Sequence, residues 1–386
     1  MIFQLPYFAQ VAIIRQMKPH ECFFLGSLSK KAKRLVQRSI KKTFNGVVID
    51  LNCKQIEVSN NSNTNRESGK VIAAWSKCDR KIITTTNFRE NKWIKLEYNG
   101  IEMKCRLTFE KDCYVSYNLP TVWCDSRQIK LVPLALRQSI SDVFGISNII
   151  QVRMDFSSEG FTDIPSITQI DHIYEGFCTH EVDGKLLDRF LRRVEVKHSL
   201  HFINSLRFQS DSPIFSVDHL TIDKARHVSR ESFLNFNGKS ALLQNTSLKS
   251  EDLIEFVKKW LNGNNTKLES MVVVGNFLNV VYAFDREKVL EQFETMPWNP
   301  KRRDGRFKYP ENSQTLYYSK DLLDCTQQVD IQREHDGLLA TVVVTNEDFC
   351  FFVWHTPFAP PGTELPVTVL DEDDQSVSYA LGSIAF

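Results

Sequence analysis

The chain has few of the residues that break regular structure: 15 glycines and 13 prolines in 386 residues, about 7 % against the ~12 % of average proteins. Collagen-like and wholly disordered chains are excluded, and most of the length is committed to packed elements. Long apolar runs are also missing. The longest, Phe349 to Trp354, has six residues, far short of the ~20 that a membrane-spanning helix needs. The opening MIFQLPYFAQ has no basic stretch ahead of an apolar one, so no secretory signal is expected. Neither sign of charge is in excess. The 48 Lys and Arg face 47 Asp and Glu, which removes any chain-wide attraction to nucleic acid or anionic membrane. Nine cysteines, odd in number, scattered and never in Cys-x-x-Cys, fit reduced thiols and a cytoplasmic or nuclear location.

Catalytic and cofactor motifs are incomplete wherever they begin. Gly238-Lys239-Ser240 ends like a phosphate loop, but Phe233, six before the lysine, and Leu234 after it stand where the first glycine is needed, so the backbone cradle is missing and a turn before a strand is expected. His180-Glu181 opens like a zinc protease helix, yet Gly184 stands where the second histidine is required. His198 and His201 lie in a strand-like run without an identifiable Cys or carboxylate partner. No Gly-x-Ser-x-Gly elbow occurs. We therefore expect no enzyme activity, no catalytic residue, no metal and no cofactor.

What the chain does have is 27 phenylalanines and a basic head. Residues 1–42 hold nine Lys and Arg against Glu21 alone, a local balance of +8. Tyr7, Val11, Ile14 and Met17 recur at helical steps after Pro6, which predicts a first amphipathic helix. Pro19 starts a second, with Cys22, Phe24, Leu25 and Leu28 as its apolar stripe. Ser29 caps a third, whose inward face is Ala32, Leu35, Val36 and Ile40. Three short helices bury little surface alone, so this block must dock on a partner or on the rest of the chain.

Within a β-rich middle region, 43–159, the period falls to two from Gly46 to about Phe109, predicting a small antiparallel sheet with strands at 47–51, 82–86, 93–98 and 103–109 and a polar loop at 59–69. Helix-like and strand-like runs then alternate, Leu134 to Phe144 before Ile149 to Met154 and Leu186 to Val194 before Leu200 to Phe208, an α/β rhythm that continues through a region of 160–356. Strand candidates near Leu220, Leu242 and Met271 are 22 and 29 residues apart, within the ~20 to 29 of leucine-rich-like repeats. Between the last two, Ser250 is the expected N-cap of a helix that buries Leu253, Val257, Trp260 and Leu261 and ends at Gly263. A basic loop, KRRDGRFK, occupies 301–308; residues 357–386 carry four prolines and an acidic run and read as a loose tail.

Leu5-Pro6 before the first helix, Pro19, Glu21, Phe24 and Leu25 in the second, and Ser29-Lys30-Lys31 with Lys33, Leu35 and Val36 in the third together resemble an F-box of a nematode-like variant. Val217 to Glu269 is similar to the F-box-associated type 2 domain of the nematode F-box families, most specifically at Lys258-x-Trp260-Leu261-x-Gly263-x-Asn265, and 330–354 resembles the family's closing strands. His227 departs from the aromatic expected there. The resemblance implies an α+β fold: a three-helix F-box, 1–42, before a mixed α/β body with irregular leucine-rich-repeat-like β-α units. It implies a substrate-recognition adaptor of a Skp-cullin-F-box ubiquitin ligase, with target recognition in the body. Leu5, Pro6, Val11, Ile14, Phe24 and Leu28 would meet the Skp adaptor, with Lys30 and Lys31 at a polar rim. Two other readings stand beside it: a nucleic-acid-binding protein using the head and loop 301–308, and a Skp-binding scaffold without ligase output.

Overall fold

The computed structural model describes residues 2–40, 44, 46–59, 70–77, 92–111, 118–146, 149–156, 167–175, 184–204, 207–275, 284–308 and 322–355. The expected strand at 82–86, nearly all of the polar loop and the tail from 357 lie outside them. The head opens with α1 (Tyr7–Gln16), α2 (Pro19–Ser27) and α3 (Lys30–Ser39), bounded as local chemistry dictates. Pro6 and Pro19 stand at the first two starts, and the Ser29 side chain accepts the Ala32 N–H to cap the third.

Six strands follow: β1 (Gly46–Asp50), β2 (Gln55–Ser59), β3 (Lys70–Lys77), β4 (Lys92–Tyr98), β5 (Ile101–Lys111) and β6 (Asn118–Cys124). They do not form the small antiparallel sheet expected: β3 and β6 are parallel, and β1 is parallel to β7 (Ile150–Met154) beyond helix α4 (Val132–Phe144). That pairing continues the sheet into β8 (Gln169–Glu175), α5 (Gly184–Leu191), β9 (Glu195–Phe202), β10 (His219–Ile222), α6 (Arg230–Leu234), β11 (Ser240–Thr246), α7 (Ser250–Asn262) and β12 (Ser270–Gly275). From β7 to β12 each strand lies parallel to the next in sequence. The remaining elements are α8 (Arg286–Leu290), β13 (Met296–Pro297), β14 (Arg306–Lys308), β15 (Leu322–Asp324), β16 (Val329–Gln332), β17 (Leu339–Val344) and β18 (Asp348–Trp354). Among the described residues one mixed sheet of 16 strands runs β13-β16-β17-β18-β12-β11-β10-β9-β8-β7-β1-β2-β3-β6-β5-β4, and β14 pairs with β15 alone.

Strand alternation gives this sheet two unlike faces. Register puts Ile49, Val152, Ile173, Leu200, Leu220, Ala241, Met271 and Phe351 in one row across eight strands, all buried in the main core with the helices. Much of the phenylalanine is spent here. Phe256 of α7 stacks on Phe233 (4.9 Å between centroids) and meets Phe351 edge-on (5.6 Å), and Trp260 meets Phe351 at 5.1 Å. On the opposite face the β14–β15 hairpin covers a smaller core, Leu242, Val272, Val274, Phe307, Cys350 and Phe352.

The head docks on this body. Ile14, Phe23, Leu35 and Val36 belong to the main core, Lys33 pairs with Asp142 at 3.0 Å, and Gln37 donates to the Asp142 carbonyl at 2.8 Å. Gly26 is required at that junction, since a Cβ there would sit 2.6 Å from Val143 Cγ1. The first helix departs from its predicted stripe: of Tyr7, Val11, Ile14 and Met17 only Ile14 is fully buried, and Tyr7 is exposed.

Helix α7 begins one residue earlier in its cap than expected. Lys249 is the N-cap, its N–H bonded to Asp252, while Ser250 Oγ accepts the Asp285 N–H from 35 residues away. Leu253, Val257 and Trp260 are buried as expected, together with Phe256; Leu261 is half-buried. Gly238 also gains a reason. Its Cβ would lie 2.1 Å from the Val217 carbonyl oxygen, and the following N–H groups of Lys239 and Ser240 both bond the Asp218 carbonyl. The Gly-Lys-Ser turn spends its N–H groups on the neighbouring crossover, where a phosphate loop would aim them at a ligand.

Candidate functional site

Six large hydrophobic side chains are exposed among the described residues, and five lie in the first 28: Leu5 (40 %), Tyr7 (48 %), Phe8 (85 %), Ile13 (41 %) and Leu28 (76 %). The sixth, Ile101, follows the β4–β5 turn. A folded domain has no reason to leave Phe8 this bare next to a core that already holds Phe23 and Phe24 at 5.0 Å. Docking of α2 and α3 on α4 thus leaves the outer side of α1 and the end of α2 without cover.

The residues singled out from sequence divide. Leu5, Pro6 and Leu28 are exposed, and Val11 and Phe24 are half-buried. Ile14 is at 0 %; it fills the core under the head and offers no surface to a partner. Lys30 and Lys31 are exposed, and the Lys31 ammonium sits 5.2 Å above the Phe3 ring. Phe8, Tyr7 and Ile13 were not among the expected contacts. Their signal was available, since Phe8 and Ile13 are apolar residues off the α1 stripe.

Loop 301–308 is less basic at its surface than its sequence suggests. Arg303 is buried against Asp330, with Nε at 2.9 Å from Oδ2 and Nη2 at 2.9 Å from Oδ1, and Nη2 also donates to the Cys325 carbonyl. Thr341 donates to the same carboxylate at 2.7 Å, and the guanidinium lies 4.8 Å over the Trp354 ring. One of the loop's five cations is therefore structural, holding the β14–β15 hairpin on the sheet. Lys301, Arg302 and Arg306 stay exposed.

The face of the parallel strands opposite the main core carries buried polar residues. In register across six strands stand Gln151, His172, Ser199, His219, Ser240 and Ser270. His172 Nδ1 bonds Ser199 Oγ at 2.7 Å, and His201 Nε2 bonds Asp223 at 3.1 Å one row on. Burial, assisted by the neighbouring His198, pushes His172 down to about 4, against Asp171. Burial likewise pushes His219 to about 4; Lys239, His198 and His172 add to this and Asp218 opposes it. The described residues contain no group of His, Cys, Asp and Glu arranged to hold a metal. Burial raises the thiols of Cys22 and Cys105 to about 11 and of Cys325 to about 12, so none is a thiolate at neutral pH.

These histidines predict acid lability. Unfolded histidine binds a proton near pH 6.5 and the folded ones near 4, so between those values the unfolded state holds more protons and stability falls with pH. Each tenfold loss of proton affinity is worth about 1.4 kcal/mol. Asp348, raised by burial to about 6, and Glu175, raised by burial, act in the opposite direction. Two histidines should outweigh them: thermal melts are expected to fall from pH 6.5 to 4.5, and His172→Gln with His219→Gln should flatten the slope. An equally steep slope in the double variant would place the lability elsewhere.

Part of the body matches a known family. Residues 213–273, which span β10, α6, β11, α7 and most of β12, match the model of the family described as F-box associated. The uncharacterized protein F59B2.9 of Caenorhabditis elegans is 27% identical over 143 residues, 36% of this chain and 31% of that protein. The uncharacterized protein F59B2.8 of the same organism is 27% identical over 183 residues, 45% of this chain and 39% of that protein. The E3 ubiquitin-protein ligase hecw-1 of C. elegans is 30% identical over 81 residues, 21% of this chain and 6% of that protein. The chain thus spans about a third of the length of the first two relatives. No solved structure matches. Among the described residues, no helix is long and apolar enough to cross a membrane. With the F-box-associated match on its β10–β12 units and its similarity to C. elegans proteins over part of its length, the chain resembles nematode F-box-associated proteins.

Proposed function

We propose that this protein is a substrate-recognition adaptor of a Skp-cullin-F-box ubiquitin ligase: the head is an F-box that binds the Skp adaptor, the parallel β-α units hold a target, and the chain itself performs no covalent chemistry. The observation that carries the reading is the bare apolar surface of Leu5, Tyr7, Phe8, Ile13 and Leu28 on a three-helix head, beside the exposed cations Lys30, Lys31, Arg34 and Arg38 of α3. Apolar anchors with a basic rim suit an acidic partner with an apolar groove. The sequential parallel strands β7 to β12 support a leucine-rich-repeat-like reading of the body, an architecture that offers one broad surface. The similarity to a ligase, hecw-1, over 81 residues is consistent with a ubiquitination context.

Calorimetry of the purified chain with purified Skp adaptor tests this. Binding is expected in the micromolar range or tighter and should persist from 50 to 500 mM salt, because apolar burial survives screening. A phosphate-driven nucleic-acid complex would instead weaken steeply. Absence of adaptor binding together with salt-sensitive RNA or DNA binding would replace the proposal.

A further inference from the structure

We infer that segment 364–386 of this chain folds back over the bare face of the head, with the acidic run Asp371 to Asp374 on the cations of α3 and its apolar neighbours on Phe8 and Leu28. The segment lies outside the described residues. This is the surface that the adaptor reading uses, but the fold-back does not depend on that reading.

The head's side of the contact is basic and open. Lys30, Lys31, Arg34 and Arg38 fall on one stripe of α3, away from the buried Ala32, Leu35, Val36 and Ser39. Lys33 is paired with Asp142 and Lys31 lies over the Phe3 ring, but Lys30, Arg34 and Arg38 have no carboxylate partner among the described residues. The head's one acid, Glu21, accepts the Lys18 N–H at 2.7 Å. Leu28, 76 % exposed, stands two residues before Lys30, so apolar and basic surface adjoin there.

The sequence of 364–386 is the complement. It carries Glu364, Asp371, Glu372, Asp373 and Asp374 and no Lys or Arg, and its acidic run is bracketed by Val369 and Leu370 before and Val377 and Tyr379 after. Loop 301–306 also has exposed cations, but Asp304 stands among them and no large hydrophobic side chain is exposed there. Charge alone would suit either surface; the apolar flanks select the head.

Topology puts the two within reach. Strand β18 is antiparallel to β12, so its last residue, Trp354, lies at the edge where β1 and the parallel strands β7 to β12 begin. Gly46 opens β1 at that edge, seven residues after the end of α3. From β18 to β1 the sheet order counts seven steps, roughly 34 Å at about 4.8 Å each. The sixteen residues from His355 to Asp371 span about 50 Å when extended. Such a tether holds the segment at an effective concentration on the order of 1 mM, so a contact with a Kd of about 0.1 mM between separate molecules covers the head roughly ten to one.

Zero-length carbodiimide crosslinking of the full chain at low salt, read by peptide mass spectrometry, tests this. The monomer should yield Lys30 or Lys31 joined to the 371–374 carboxylates, and 500 mM salt should suppress the yield. Links to Lys301 instead, links confined to dimers, or none from this run would overturn the fold-back. A second measurement adds synthetic peptide 364–386 to a full chain carrying Asp371→Asn, Glu372→Gln, Asp373→Asn and Asp374→Asn, which frees the face. Affinity should fall about tenfold or more when Lys30→Gln, Arg34→Gln and Arg38→Gln are added, and an unchanged affinity would overturn the assignment. Skp adaptor binding separates the two readings. The neutralised chain should bind adaptor about tenfold tighter than the wild type, because its face needs no uncovering. Adaptor binding of equal strength in both chains refutes the fold-back and leaves the ligase reading, whereas the expected crosslinks without adaptor binding refute the ligase reading and leave the fold-back standing.

Discussion

Replacing Arg333 by alanine should lower the unfolding free energy by about 3 to 5 kcal/mol, since it leaves the end carbonyls of α7 without their buried donor and empties the space over the Trp260 ring. Arg333 is fully buried. Its Nη1 donates to the carbonyls of Trp260 (3.3 Å), Gly263 (3.3 Å) and Asn265 (2.9 Å), its Nε donates to Asp336 at 3.0 Å, and its guanidinium lies 4.6 Å over the Trp260 ring. A helix leaves its last carbonyls without partners, and here a side chain from the β16–β17 turn supplies the donors to the end of α7. The Arg333 guanidinium also holds the Asp336 carboxyl down at about 2. Arg333→Lys should recover only part of the loss, since one ammonium cannot serve three carbonyls, a carboxylate and a ring at once. Trp260→Ala should cost a comparable 3 to 5 kcal/mol or so, and because the two side chains stack, the double variant should cost less than the sum. Chemical denaturation of the three variants measures all of this. A wild-type midpoint for Arg333→Ala would mean that this capping contributes nothing.

The stretch Lys258 to Asn265, the most specific part of the family resemblance, thus has an architectural meaning. Trp260 is the platform, Gly263 closes the helix, and the carbonyls of Gly263 and Asn265 bind an arginine 70 and 68 residues away. That partner was not legible in the sequence. Neither was Arg303, which reads as one cation among five in a solvated loop until Asp330, Thr341 and Trp354 close around it. Local signals held wherever the cause was local. Pro6, Pro19 and Ser29 set the head's helices, and β-branched and aromatic runs produced strands near 220, 242 and 271. They failed where a distant group intervened. Ser250 looks like a cap, but its hydroxyl serves Asp285, and the 43–159 strands look like a separate antiparallel sheet because nothing local announces that β1 pairs with β7.

The same limit applies to the interaction face, where periodicity finds a helix but not which of its sides the rest of the chain covers. Ile14 sits on the predicted stripe and is enclosed at 0 %, whereas Phe8 sits off it and is 85 % exposed. Truncating each should therefore separate folding from binding. Phe8→Ala combined with Leu28→Ala removes two bare anchors and should leave the melting temperature within a few degrees, since exposed side chains contribute little to stability. Adaptor affinity should fall by ~30-fold or more, as buried apolar hot spots cost about 2 kcal/mol or more when truncated. Leu5→Ala with Pro6→Ala should act in the same direction, and Lys31→Ala should change mainly the on-rate and its salt dependence. Ile14→Ala should behave oppositely: about 2 to 5 kcal/mol lost from folding, and adaptor affinity recovered in the fraction that remains folded. Calorimetry with purified Skp adaptor, beside melts of each variant, separates these outcomes. Wild-type affinity in Phe8→Ala with Leu28→Ala would show that this surface is not the one that meets the adaptor, and the F-box reading of the head would fall with it.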